Sequence, residues 1–135
     1  MAETHELRFN VILDENKIPE QLTWEQNKET RPIKAAFLQT WDEQEKITMS
    51  LHLWTKTFTT QEMKLFFHQS LVAMVESLER AVPQEEETIK DLYATCNYLA
   101  EKMELISKEQ EKELIQKAKN EEQLGKENID LRDLL

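Results

Sequence analysis

Ile47-Thr48-Met49-Ser50-Leu51-His52-Leu53-Trp54 is the stretch that decides the fold. Apolar and polar residues alternate along it. Ile47, Met49, Leu51 and Leu53 fall on one face of a strand, and Thr48, Ser50, His52 and Trp54 on the other. Just upstream, Asp42-Glu43-Gln44-Glu45-Lys46 is a polar turn. Before the turn, residues 33–41 alternate too. Ala35, Phe37, Gln39 and Trp41 share one face, and Ala36, Leu38 and Thr40 the other. Ala35 to Leu38 would also suit a helix by propensity, but two strands joined by a short polar turn form a hairpin.

Further upstream, Leu7, Phe9, Val11 and Leu13 alternate with Arg8, Asn10 and Ile12, which predicts a strand over residues 7–13. Asp14-Glu15-Asn16-Lys17 follows as a turn, with Asn16 suited to a left-handed backbone. Ile18-Pro19 opens a second strand with its centre at Leu22-Thr23-Trp24. Proline cannot donate to a ladder, so this strand is expected to be short or at a sheet edge. Residues 25–32 are polar, end in Pro32 and read as a loop.

Downstream, Thr59-x-x-Glu62 has the spacing of a capping box, in which each side chain satisfies an orphan amide at a helix start. The helix predicted over 60–82 carries Met63, Phe66, Phe67, Leu71, Met74, Val75, Leu78 and Val82 as one apolar stripe. Pro83 stops it. A second helix starts between Gln84 and Glu87, where acids suit the positive helix end. Its stripe is Ile89, Leu92, Tyr93, Cys96, Leu99, Ala100, Met103 and Ile106. From Ser107 the apolar positions thin to Leu114, Ile115 and Ala118, then Leu124, Ile129, Leu131, Leu134 and Leu135. This tail reads either as a solvated helix or as an amphipathic extension that pairs with another chain. The expectation is an α+β fold: a four-stranded antiparallel meander, then two long amphipathic helices, with a helical or disordered acidic C-terminal tail. Residues 1–106 form one domain and residues 107–135 a charged extension.

The whole chain limits what it can do. It has 135 residues, 39% of them hydrophobic, and a formal net charge of −10. Such acidity gives no electrostatic route to a nucleic-acid backbone or an anionic membrane surface. The single glycine is Gly125. Phosphate-cradling loops, dinucleotide turns and nucleophile elbows need glycine, because other residues cannot take those backbone angles or admit a ligand so closely. Those three sites are therefore excluded from the first 124 residues. One cysteine, Cys96, leaves no internal disulfide. The N-terminus lacks the basic and apolar regions of a signal peptide, and no apolar run approaches the ~20 residues that span a bilayer. The expected location is cytoplasmic, without membrane insertion.

No chemistry stands out. His5, His52 and His68 lack the short spacing of zinc ligands, so no metal is expected. The acids cluster at predicted turns and a helix start, where solvation and the helix dipole account for them. Cys96 lies in an apolar stripe and reads as a small buried hydrophobe. With no cofactor motif either, the chain reads as non-enzymatic. Tryptophan suits interfaces, and Trp24, Trp41 and Trp54 all fall on or beside strands. The candidate interaction surface is His52, Trp54 and Trp41, with Leu114, Ile115 and Leu131 of the tail. The chain is expected to bind proteins and to form a homo-oligomer.

Several stretches resemble the GldC family of gliding-motility proteins of Bacteroidetes. They are Phe9-Asn10-Val11, Leu13-Asp14-Glu15-Asn16-Lys17-Ile18-Pro19-Glu20, Trp41-Asp42 and Leu53-Trp54-Thr55-Lys56. To these add Glu62-Met63-Lys64, Phe67-His68-Gln69-Ser70-Leu71-Val72-Ala73-Met74 and Tyr98-Leu99-Ala100-Glu101-Lys102-Met103-Glu104. The resemblance covers roughly residues 6–106, apart from the loop at 25–32. It implies a non-enzymatic accessory protein of the gliding apparatus, tied to the secretion machinery that exports adhesins, and it transfers no catalytic residue. The element order is also similar to that of SecB-like export chaperones, which bind unfolded clients. That is an analogy of topology, and topology does not fix function.

Overall fold

A computed structural model describes residues 2–105 and Gln116. The chain divides into two compact units, residues 1–59 and 60–135. The first contains five strands: β1 (Leu7–Leu13), β2 (Pro19–Gln26), β3 (Glu29–Ile33), β4 (Ala35–Trp41) and β5 (Thr48–Trp54). The second contains α1 (Thr60–Ala81) and α2 (Glu86–Lys102). The α+β class and the antiparallel pairing agree with the sequence reading.

The sheet arrangement corrects it. Instead of one four-stranded meander there is a three-stranded sheet in the order β1-β2-β3 and a separate two-stranded sheet, β4-β5. The stretch expected to be a loop at 25–32 folds into a tight hairpin between β2 and β3. Gln26 pairs with Glu29, leaving Asn27-Lys28 as a two-residue turn. Both turn residues take positive φ, 49° and 69°, as a type I′ turn demands. That turn is normally announced by Asn-Gly or Asp-Gly, and Asn-Lys hides it. A bend at Lys34 then separates β3 from β4.

Proline placement follows the same physics. Pro19 opens β2, opposite Leu13 beside a register irregularity at Ile12/Leu13. The missing N–H falls where the ladder is already disrupted, so β2 runs its full length in the centre of its sheet rather than short or at an edge. Pro32 lies in β3, which is an edge strand. Along the register, Leu7, Phe9 and Val11 face the same side as Leu22, Trp24 and Gln26. Phe9 and Trp24 meet edge to face, their centroids 5.6 Å apart. Leu22 and Gln26 are buried.

The β1–β2 and β4–β5 turns are closed in a similar way. Asp14 N–H donates to the Ile18 carbonyl and Lys17 N–H to the Asp14 carbonyl. Asp42 N–H donates to the Ile47 carbonyl and Lys46 N–H to the Asp42 carbonyl. In each case a lysine, Lys17 or Lys46, supplies the left-handed residue at φ 63° or 57°. The residue expected to do so in the first turn was Asn16.

In the helical unit, α1 carries Glu62 in its first turn and Arg80 in its last, both favourable to the helix dipole. Val75 of α1 packs with Ile89 and Cys96 of α2, and Leu71, Val72, Leu92 and Tyr93 surround them. His68 Nε2–H donates to the Cys96 carbonyl at 2.9 Å, and Tyr93 Oη–H donates to Glu79 Oε1 at 3.3 Å. Helix α2 ends in a Schellman closure: Leu105 N–H donates to the Ala100 carbonyl and Glu104 N–H to the Glu101 carbonyl. Glu104 holds the left-handed position at φ 54°, where glycine is usual. The helix therefore closes short of Ile106, and Met103 is its C-cap.

Candidate interaction surface

Three of the six candidate residues lie together on the β4–β5 hairpin. The register pairs Ala35 with Trp54, Phe37 with His52, Gln39 with Ser50 and Trp41 with Thr48. These residues share one face, so Trp41 and Trp54 stand at its opposite ends. His52 and Phe37 stack in a tilted geometry with centroids 4.5 Å apart. His52 Nε2–H donates to Gln39 Oε1 at 2.9 Å. Phe37 and Gln39 thus fix the imidazole; alternation sets the two on one face of β4, and the register brings that face level with His52. Leu114, Ile115 and Leu131 lie outside the described residues.

The opposite face of the hairpin is aliphatic. The register pairs Ala36 with Leu53, Leu38 with Leu51 and Thr40 with Met49. Both faces carry exposed large apolar side chains. Trp41 is 67% exposed and Trp54 50% on one side, and Met49 53% and Leu51 51% on the other. Scattered exposed hydrophobes are ordinary, but a strand with large apolar side chains exposed on both faces is the pattern of an interface.

The hairpin is held at its base. Thr55, directly after β5, is buried. Its N–H donates to the Lys34 carbonyl at 2.8 Å, and its carbonyl accepts from Phe58 N–H. This fixes the next residue, Lys56, whose ammonium donates to Asp14 Oδ2. Asp14 Oδ1 meanwhile accepts from the N–H groups of Asn16 (2.8 Å) and Ile18 (2.9 Å). The Lys56 hydrogen bond is the main cause that holds the Asp14 carboxyl below the usual carboxylate range, with the Ile18 N–H next. The same contact holds the Lys56 ammonium above its usual value. The β1–β2 turn and the end of β5 are therefore tied together within one unit.

In the helical unit, burial pushes the Cys96 thiol up, which suits a packing role and not a nucleophile. No three His, Cys, Asp or Glu side chains among the described residues converge as metal ligands. No helix among them is long and apolar enough to cross a membrane.

No curated protein and no solved structure matches this chain. A family model described as gliding motility-associated protein GldC-like matches residues 19–105, well over half of the sequence. The match takes in the hairpin, Lys56 and both helices. The chain belongs to the GldC-like family of gliding motility-associated proteins.

Proposed function

We propose that the protein is a non-enzymatic, cytoplasmic accessory component of gliding motility and its associated secretion machinery, working as a homo-oligomer that docks other proteins on the β4–β5 hairpin. The observation that carries this is the hairpin's exposure on both faces. Trp41, Trp54 and His52 stand on one side, and Met49, Leu51 and Leu38 on the other. Tryptophan at such a site contributes large rigid contact area. Family membership supports the process, and the absence of glycine from residues 1–124 argues against the common nucleotide and hydrolase sites.

A second reading is a SecB-like chaperone that holds unfolded clients for export. It is favoured by the further apolar side chains exposed at the β1–β2 hairpin, Val11, Ile12, Leu13 and Ile18. The two readings separate in one genetic experiment with a biochemical arm. In a strain lacking the gene, the wild-type chain restores surface gliding and adhesin export, and the double variant W41A/W54A does not. Purified wild-type protein does not suppress aggregation of several unrelated unfolded proteins. Suppression of all of them favours the chaperone, and full rescue by the double variant removes the hairpin from the function.

A further inference from the structure

The outer edge of β5 carries a specific pattern. Thr55 N–H bonds to the Lys34 carbonyl and Asp42 N–H to the Ile47 carbonyl. With the register of the hairpin, these two bonds set the phase of the ladder. Met49, Leu51 and Leu53 direct their backbone groups at β4. Thr48, Ser50, His52 and Trp54 direct theirs outward, because hydrogen-bonded and non-hydrogen-bonded pairs alternate. No described strand is hydrogen-bonded to that outer edge.

Natural proteins protect open edges with charge, proline or bulges. Here β3 has Pro32 with Glu29 and Arg31, and β1 has Arg8 and the irregularity at Ile12/Leu13. In β4, Ala35, Ala36 and Phe37 are partly buried. By contrast, β5 has no charge, no proline and no register irregularity, and residues 48–52 are all exposed. In a chain of net charge −10, a neutral strand is where a second copy approaches with least repulsion.

We infer that β5 is the self-association edge: two copies pair their β5 strands antiparallel about a two-fold axis at Leu51. This rests on the homo-oligomer reading above and names its contact. In that register Ser50 meets His52 of the second copy, and Thr48 meets Trp54. These are the residues whose backbone groups point outward, so every outward group finds a partner. Leu51 meets its own counterpart in a non-hydrogen-bonded pair, and Met49 meets Leu53. The two hairpins become one four-stranded sheet. Its aromatic face then carries two copies each of Trp41, Trp54 and His52, which doubles the proposed docking surface. A two-fold contact uses the same patch on both copies and closes on itself.

Light scattering and a cysteine cross-link test this together. The wild-type mass is expected near a multiple of 16.1 kDa. Leu51→Lys sets two like charges against each other on the axis and is expected to halve that mass, with circular dichroism unchanged because Leu51 is half exposed. Leu51→Cys is expected to form an inter-chain disulfide under mild oxidation. The Cα atoms of a non-hydrogen-bonded antiparallel pair are about 4.5 Å apart, within disulfide range. Arg31→Cys and the wild type, with only buried Cys96, are expected to stay uncross-linked. A wild-type monomer at high concentration overturns both the oligomer reading and this contact. A wild-type oligomer whose mass is unchanged by L51K, or in which L51C fails to cross-link, overturns the β5 contact alone and gives the edge to another occupant. Should L51K fail to fold, the cross-link decides.

Discussion

Lys56 and Asp14 lie 42 positions apart in the sequence and join as an ion pair that ties the end of β5 to the β1–β2 turn. Lys56 lies within residues 19–105, which match the family model. Asp14 also accepts two backbone N–H bonds, so its carboxylate organises the turn and receives the lysine at once. Asp14→Asn keeps an acceptor for the turn and loses the charge, and Asp14→Ala loses both. The expected order of melting temperature is wild type, then D14N, then D14A. Equal melting of D14N and D14A would contradict the turn-forming role.

The same pair sets a pH dependence. The Asp14 pKa is lowered in the folded state, so its stabilisation is present above the ordinary value of 3.8 and is lost as pH falls through the folded value. The Lys56 pKa is raised, so its stabilisation is full below the ordinary 10.5 and is lost as pH rises through the folded value. The stability difference between wild type and Lys56→Ala is expected to be flat between those limits and to shrink beyond each. Denaturant titrations across pH measure it, and a difference that does not begin to shrink as pH falls below 3.8 would contradict the assignment.

Glycine is almost absent, and the backbone shows the consequence. Among the described residues the left-handed positions are Lys17, Asn27, Lys28, Lys46 and Glu104. A residue with a Cβ in that region costs roughly 1–2 kcal/mol. Lys28→Gly, at the second turn position between β2 and β3, is expected to stabilise the protein by about 1 kcal/mol. Urea unfolding reads this directly. Destabilisation by K28G would mean that the turn is not of the I′ type.

The helical unit depends on a small core. Ile89 is 5% exposed and Val75 3%. Ile89→Ala is expected to cost about 2–5 kcal/mol, while Trp41→Ala, at a mostly exposed site, should stay within about 0.5 kcal/mol of wild type. Cys96, buried and with its thiol pushed up, should react with a thiol reagent only on unfolding. Rapid labelling of the native protein would contradict its packing role.

Strands with clear alternation were legible in the sequence. Residues 7–13 and 47–54 fall within one residue of β1 and β5, because period 2 is unambiguous where large apolar residues alternate with polar ones. Both helices were legible from their stripes, with Pro83 as the break. The β2–β3 hairpin was not, because Asn27-Lys28 adopts a turn that glycine normally announces. The end of α2 was missed by a few residues for the same reason, with Glu104 where glycine is usual. Alternation set His52 with Trp54 on one face of β5 and Trp41 with Phe37 and Gln39 on one face of β4; that the two faces are the same one follows from the register. The contacts of His52 with Phe37 and Gln39, and the bond from Lys56 to Asp14, required the strand register and the turn geometry.

In the proposed function, the β4–β5 hairpin is where this protein meets its partners. The most direct measurement is affinity capture from the native cell with the full chain, comparing wild type with W41A/W54A, followed by quantification of co-purifying proteins. Gliding or secretion components are expected to be captured by wild type and reduced at least tenfold, about 1.4 kcal/mol, by the double variant. Equal recovery of the same components by both chains would contradict it.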